Sequence, residues 1–207
     1  MTSRAAPGPA GRGRYHHGDL PEALIETAIE LLNERGGAGF SMAEASRRLG
    51  VAASAPYRHF ADRDALLAAV AVRAAGLLSE RLDREAVSGS AEQRLAAAAA
   101  AYVRFAGDQR ALFRALAGSG LDKDRHPGIA HAAKPISAAF LSPALELSSD
   151  DQGAAAQLVS AVVATAHGHA MLLLDGSFGS GQAAAEVAAQ LAATAARALV
   201  AGRAALA

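Results

Sequence analysis

The stretch that decides the fold is GVAASAPYRHF, residues 50–60. It lies between two strongly helical runs and is short, polar and aromatic in a chain made mostly of alanine and leucine. A third short helix starting at Ala52 or Ala53 reconciles these features. Pro56 then falls in or just after the first turn, where its missing N–H forfeits little or no hydrogen bonding. At about 100° per residue, Pro56 and Phe60 share one side of this helix and Ser54 and Arg58 the opposite side. The proline becomes an apolar wedge toward the preceding helices, and Ser54, Ala55, Tyr57 and Arg58 are left outward or on the flanks. A small exposed helix offering hydroxyls and a guanidinium suits insertion into a DNA major groove.

The flanks support that reading. Upstream, Ser41 with Glu44 three residues later forms a capping-box pattern on SMAEASRRLG; Met42, Ala45 and Leu49 share a face and Gly50 ends the helix. Further upstream, Asp19 and Glu22 repeat the pattern, Pro21 sits in the first turn, and Leu24, Ile25, Ala28, Leu31 and Leu32 form an apolar face that Gly36 and Gly37 bring to an end. Two short helices separated by a glycine turn are a helix-turn-helix pattern. Downstream, a long helix is predicted over 62–83, then helices over 90–106 (with Ser90 and Gln93 as a third capping box) and 109–117. A loop and a helix over 130–147 interrupted at Pro135 and Pro143 follow, then two long helices over 152–174 and 182–200. The expected organisation is a flexible Gly/Pro/Arg-rich tail over 1–14, a helix-turn-helix DNA-binding domain over 15–61 and a C-terminal helical domain over 62–207.

Composition narrows the class. Apolar residues are 52% and charged residues 19% of 207, so the chain folds around a core of real size. Alanine, the best helix former, dominates and strand signals are nearly absent, so the fold class is all-α. The absence of cysteine excludes disulfides, thiolate metal sites and cysteine nucleophiles, and fits a reducing cytoplasm. Arg4, Arg12 and Arg14 precede the first acidic residue but have no apolar core behind them, so they do not form a signal peptide. They fit either an arm reaching an adjacent minor groove or a plain leader. The most membrane-like segment, 154–174, contains Gln157, Ser160, His167 and His169 and reads as a buried helix rather than a span.

From Tyr15 to Val70 the chain resembles the TetR family of bacterial transcriptional regulators. The resemblance rests on SMAEASRRLGVAASAPYRHFADRDALLAAV, with its Gly-Val turn, the Tyr-x-x-Phe of the third helix and the Arg-Asp-Ala-Leu-Leu that opens the long helix. YHHGDL and APYRHF look like the subgroup whose C-terminal domain carries a Trp…His-Gly signature; ATAHGHAMLLLDG supplies His167-Gly168, while the chain has no tryptophan. The resemblance implies that the start of the second helix and the third helix contact DNA. Ser41, Tyr57 and Arg63 would hold phosphates, and Ser54 and Arg58 would lie closest to base edges, with Ala53 and Ala55 beside them. Tyr57 also fits a packing role, Arg47 and Arg48 fit either DNA contact or a solvated surface, and His59 either packing or a phosphate contact. The family default is a dimeric repressor on a palindromic operator, released by an effector.

In the C-terminal half, Phe105, Phe113, Leu116, Phe140 and Met171 are candidate walls of an apolar effector pocket, each equally suited to ordinary core. His167 is the candidate polar anchor, because a histidine in so apolar a helix is costly unless its nitrogens find partners. His167 and His169 are two apart and point roughly 200° from each other on a helix, so they cannot chelate one ion. No metal or cofactor is expected, and no nucleophile–base pair, phosphate loop or cofactor fingerprint supports an enzyme. The two last helices, apolar on more than one face, are expected to form a four-helix homodimer interface, with Leu158, Val162, Leu191 and Ala195 as contacts. The rival reading is a helical small-molecule- or metal-binding protein with no DNA function.

Overall fold

The computed structural model of the chain describes residues 20–35, 40–86, 88–118, 120–122 and 124–203. Asp19, the arginines of the tail and Gly36 and Gly37, to which the sequence assigns caps and stops, lie outside the described residues. Among the described residues every regular element is helical: α1 (Leu20–Arg35), α2 (Met42–Leu49), a 3₁₀ turn (Pro56–Arg58), α3 (Arg63–Glu85), α4 (Ala91–Asp108), α5 (Arg110–Ala117), α6 (Pro127–Ala132), α7 (Lys134–Leu147), α8 (Gln152–Leu174) and α9 (Gly181–Ala201).

The helix starts follow local chemistry. Ser90 and Gln93 make both bonds of a capping box at α4. Asp62 caps α3 by accepting from the Ala65 N–H at 2.8 Å, and Asp151 caps α8 through the N–H groups of Gly153 and Ala154. Only half of the expected box forms at α2. The Ser41 hydroxyl accepts from the Glu44 N–H at 3.1 Å, but the Glu44 carboxylate turns to Arg35 instead of back to its own cap. The helix expected over 130–147 is two helices. The break falls at Ala133 rather than Pro135, which occupies the first turn of α7, where a proline is tolerated, while Pro143 sits buried inside α7.

One continuous core runs from Leu24 and Leu31 of α1, through Leu66, Val70 and Leu78 of α3, to Phe113, Phe140 and Leu158. α3 touches both ends of the molecule: it packs on α1 and also on α4, α5, α6 and α7. α4 is the axis of the C-terminal half and packs against α7, α8 and, most extensively, α9. The α4–α9 seam is lined with alanines, among them Ala184, Ala185, Ala188, Ala189, Ala192 and Ala196 of α9, all buried. Small side chains let the helices approach closely. At Gly107 the approach is tightest: a Cβ there would stand 2.9 Å from the Ala185 Cβ and 3.2 Å from the Leu173 Cδ2. Arg104 clamps the same seam with a two-pronged bond to Glu186 at 2.7 and 2.9 Å and a third to Glu85 of α3 at 3.0 Å. α8 and α9 are long and apolar enough to cross a membrane by length and composition; both pack against α4 and against each other.

Candidate functional site

The first site is built on residues 50–60. Gly50 ends α2 in the left-handed conformation (φ 69°), and the Val51 N–H returns to the Ser46 carbonyl at 3.0 Å. That turn throws the chain into the segment expected to be a third α-helix. The structure corrects this expectation: Ala52–Ala55 form a hydrogen-bonded turn, and only Pro56–Arg58 form a single 3₁₀ turn. Pro56 has no N–H to bond the Ala52 carbonyl, so the helical ladder starts late and closes mainly through i→i−3 bonds, Ala55 to Ala52 at 2.9 Å and Arg58 to Ala55 at 3.3 Å.

The facing of the segment is nevertheless the expected one. Pro56 is buried, Phe60 packs against the core, and Ala53, Ser54, Tyr57, Arg58 and His59 are exposed, with Ala55 half-buried. Tyr57 is 56% exposed although it is a large aromatic side chain. No side-chain bond to another described residue engages Ser54, Tyr57 or Arg58. Their donors therefore point to whatever lies outside.

The neighbouring arginines differ in how firmly they are held. Arg47 is open, its side chain 76% exposed and its nearest carboxylate, that of Glu44, 3.8 Å away. Arg48 is committed: it grips Glu34 of α1 with two bonds of 2.7 Å, which holds the Glu34 carboxyl below its ordinary range and ties α2 to α1. Arg63, expected at a phosphate, is held by its own chain, with its side chain 41% exposed. Its Nε donates to the Phe40 carbonyl at 3.0 Å and its guanidinium stacks over the Phe40 ring at 5.1 Å. Arg73 in turn anchors α3 to α1 through Glu22 and Glu26.

The second site is a cavity of about 540 Å³ between α7 and α8, floored by α4. Tyr102 comes from α4, Ile136, Ser137 and Phe140 from α7, and Val159, Ser160, Val163, Ala164 and His167 from α8. The α7 and α8 residues repeat at helical spacing, so two faces confront each other across the space. Of the residues expected here, Phe140 and His167 line the cavity. Phe113 stands behind His167, stacked at 5.9 Å between ring centroids. Phe105 is buried in the core, Leu116 packs between two apolar clusters, and Met171 is on the outer surface of α8. Tyr102 was missed. Its hydroxyl meets His167 Nδ1 at 3.1 Å, its ring packs edge-on to Phe113 and Phe140, and burial pushes its ionisation up to about 12. A lone tyrosine directly after the alanine run 96–101 of α4 was the available signal, since a buried phenol needs a partner. His169 is elsewhere: its Nδ1 lies 2.8 Å from the Thr165 carbonyl and its ring stacks on Phe178.

The residues expected at a dimer interface fall on different faces. Leu158 and Val162 are buried in their own chain, because α8 turns them toward the core. Leu191 is exposed and Ala195 half-buried. The outward faces of the adjacent helices α8 and α9 instead carry Ala164, Gly168, Met171, Leu172, Val187 and Leu191.

Comparison with known proteins follows the same division. Residues 24–70 match the family of bacterial regulatory proteins of the tetR type, and residues 95–199 match the tetracyclin repressor-like C-terminal domain. No curated protein matches the chain. Among solved structures, a protein of unknown function from Rhodococcus sp. RHA1 is similar with TM-score 0.72 at 28% identity, over 90% of this chain and 98% of that one. A tetR-family regulatory protein from Rhodococcus RHA1 is similar with TM-score 0.64 at 18% identity, over 86% of this chain and 95% of that one. The TetR-family transcriptional regulator PfmR from Thermus thermophilus is similar with TM-score 0.61 at 17% identity, over 86% of this chain and 96% of that one.

Proposed function

The chain belongs to the TetR family of DNA-binding transcriptional regulators, and from that premise we propose that it is a cytoplasmic homodimeric repressor that leaves a palindromic operator when a small hydrophobic effector fills the α7–α8 cavity. The observation that carries the reading is the outward set of Ser54, Tyr57 and Arg58, held in place by buried Pro56 and bonded to no other described side chain. Arg58 and Ser54 read base edges in the major groove. Tyr57, Arg47 and the N-terminus of α2 at Ser41 hold phosphates that set the register. His59 flanks the same face, with Ala53 and Ala55 small enough to let the backbone approach.

Dimerisation rests on the outward faces of α8 and α9. Met171, Leu172, Val187 and Leu191 are large apolar side chains left exposed on neighbouring helices, and small Ala164 and Gly168 between them permit close approach. Two groove segments related by a two-fold axis would then meet successive major grooves about 34–36 Å apart. The domain division proposed is a DNA-binding unit over 15–61 and an effector and dimer unit from 62 onward, with α3 as the shared lever. Ser160 and Ala164 are both exposed on α8 and part of the cavity lining, so occupancy and dimer geometry share one helix face. The effector acts by preferring the conformer that does not fit the operator.

Selection of bound duplexes from a random-sequence library tests this reading. A palindrome bound by two chains supports it. Recovery of no sequence preference, or of one chain per site, is incompatible with it.

A further inference from the structure

We infer that the α7–α8 cavity takes an uncharged, largely apolar molecule carrying a hydrogen-bond acceptor, a carbonyl or ether oxygen, that receives a bond from the Tyr102–His167 pair. This rests on the reading of the cavity as the effector site. None of the residues lining the cavity is Lys, Arg, Asp or Glu. A ligand carboxylate or ammonium seated against these walls would meet no opposite fixed charge to replace the hydration it gives up. Ser137, one of the polar residues there, donates its hydroxyl to the Ala133 carbonyl at 3.3 Å, and Ser160 is on the exposed side of α8. The interior polar group is thus the pair formed by the Tyr102 hydroxyl and His167 Nδ1, 3.1 Å apart.

Proton counting fixes what this pair asks of a ligand. If the phenol donates to Nδ1, His167 Nε2 carries the remaining hydrogen. If Nδ1–H donates to the phenol oxygen, the phenol hydrogen remains. A protonated imidazole leaves both. Only a tyrosinate would leave none, and burial keeps the phenol protonated by pushing its ionisation up to about 12. In each protonated arrangement at least one donor is left over in a mostly apolar space, where an acceptor on the ligand satisfies it and a pure hydrocarbon does not. Phe113 stacked on His167 and Phe140 edge-on to Tyr102 fix both rings, so the donor is held in position before the ligand arrives.

The test uses three molecules of similar shape on the full chain at pH 8, measured by calorimetric titration: benzophenone, diphenylmethane and diphenylacetate. The wild type is expected to bind benzophenone about tenfold more tightly than diphenylmethane, since one satisfied bond corresponds to about 1.4 kcal/mol, and diphenylacetate most weakly. In the Tyr102→Phe/His167→Phe variant, which keeps both rings, the benzophenone advantage should fall to within about twofold while diphenylmethane binding stays. The wild-type ranking decides the matter even if that variant fails to fold. Equal binding of benzophenone and diphenylmethane, tightest binding of diphenylacetate, or no binding of any of the three overturns the inference. A gel shift separates it from the effector reading: the expected ranking with an operator complex that saturating benzophenone leaves intact upholds the cavity chemistry and refutes release by an effector.

Discussion

Replacing Gly107 with alanine tests how tightly α9 is pressed on α4. Apolar carbons sit comfortably at about 3.5–4.0 Å, and the new Cβ would stand 2.9 Å from the Ala185 Cβ. The shortfall is about 0.6–1.1 Å. The Leu173 methyl at 3.2 Å can rotate away, but the Ala185 Cβ moves only if the α9 backbone moves. Overpacking of this kind costs about 1–3 kcal/mol. Against it stands the helix propensity gained by removing a glycine, up to about 1 kcal/mol in a helix interior and less here, at the penultimate residue of α4. Gly76 of α3 is the control, because a Cβ there meets nothing within 4 Å. Gly76→Ala should stabilise by about 0.5–1 kcal/mol, and the two variants should differ by about 1–3 kcal/mol. Ala185→Gly alone should lose about 1 kcal/mol of helix propensity, and combined with Gly107→Ala it should show a favourable coupling of about 1–2 kcal/mol. Urea unfolding of the wild type, the three single variants and the double variant at fixed protein concentration reads these values. If Gly107→Ala gains as much as Gly76→Ala, or the Gly107→Ala/Ala185→Gly cycle shows no coupling, the seam is looser than described.

Other expectations follow from single contacts. Gly50→Ala adds a Cβ that touches nothing, so its cost is the left-handed φ of 69° alone; about 1 kcal/mol should be lost, less with Gly50→Asn and more with Gly50→Val, in the same unfolding assay. The wild type should be dimeric by light scattering and Leu191→Glu monomeric with its helical circular dichroism kept, because the carboxylate would be buried at the proposed interface. The Glu186 carboxyl is held down to about 2 by Arg104 first and Gln190 second. The stability it adds is therefore complete above its ordinary value of 4.5 and is lost as pH falls through about 2. Glu186 is half-exposed, so solvent screening keeps the effect below about 1 kcal/mol: Glu186→Gln should be less stable than the wild type at pH 7, with the gap closing as pH falls below about 2.

Much of this fold is written locally. Ser41, Asp62 and Ser90 mark helix starts because a cap needs only a side-chain oxygen a few residues from an orphan N–H. The facing of residues 50–60 was legible for a similar reason, since a proline with a phenylalanine four residues later has to point inward. What was not legible depends on distant partners. Whether residues 52–55 complete a helical turn depends on a ladder that Pro56 delays. The resemblance places Arg63 at a phosphate, whereas its bonds to the Phe40 carbonyl and ring depend on a partner 23 residues away. Tyr102 and His167 stand far apart in sequence, and nothing local pairs α4 with α8. Leu158 and Val162 were misassigned because α8 is apolar nearly all round, so periodicity could not tell the core-facing side from the outer one.

The most direct measurement is fluorescence anisotropy of the selected operator and of an unrelated duplex at one salt concentration, for the wild type, Arg58→Ala and Tyr57→Phe. Arg58→Ala should lose about 1–3 kcal/mol on the operator and little on the unrelated duplex, because a base contact is removed. Tyr57→Phe should weaken both duplexes alike, because a phosphate contact is removed. Unchanged operator affinity in both variants would contradict the central claim that residues 50–60 are the surface that reads DNA.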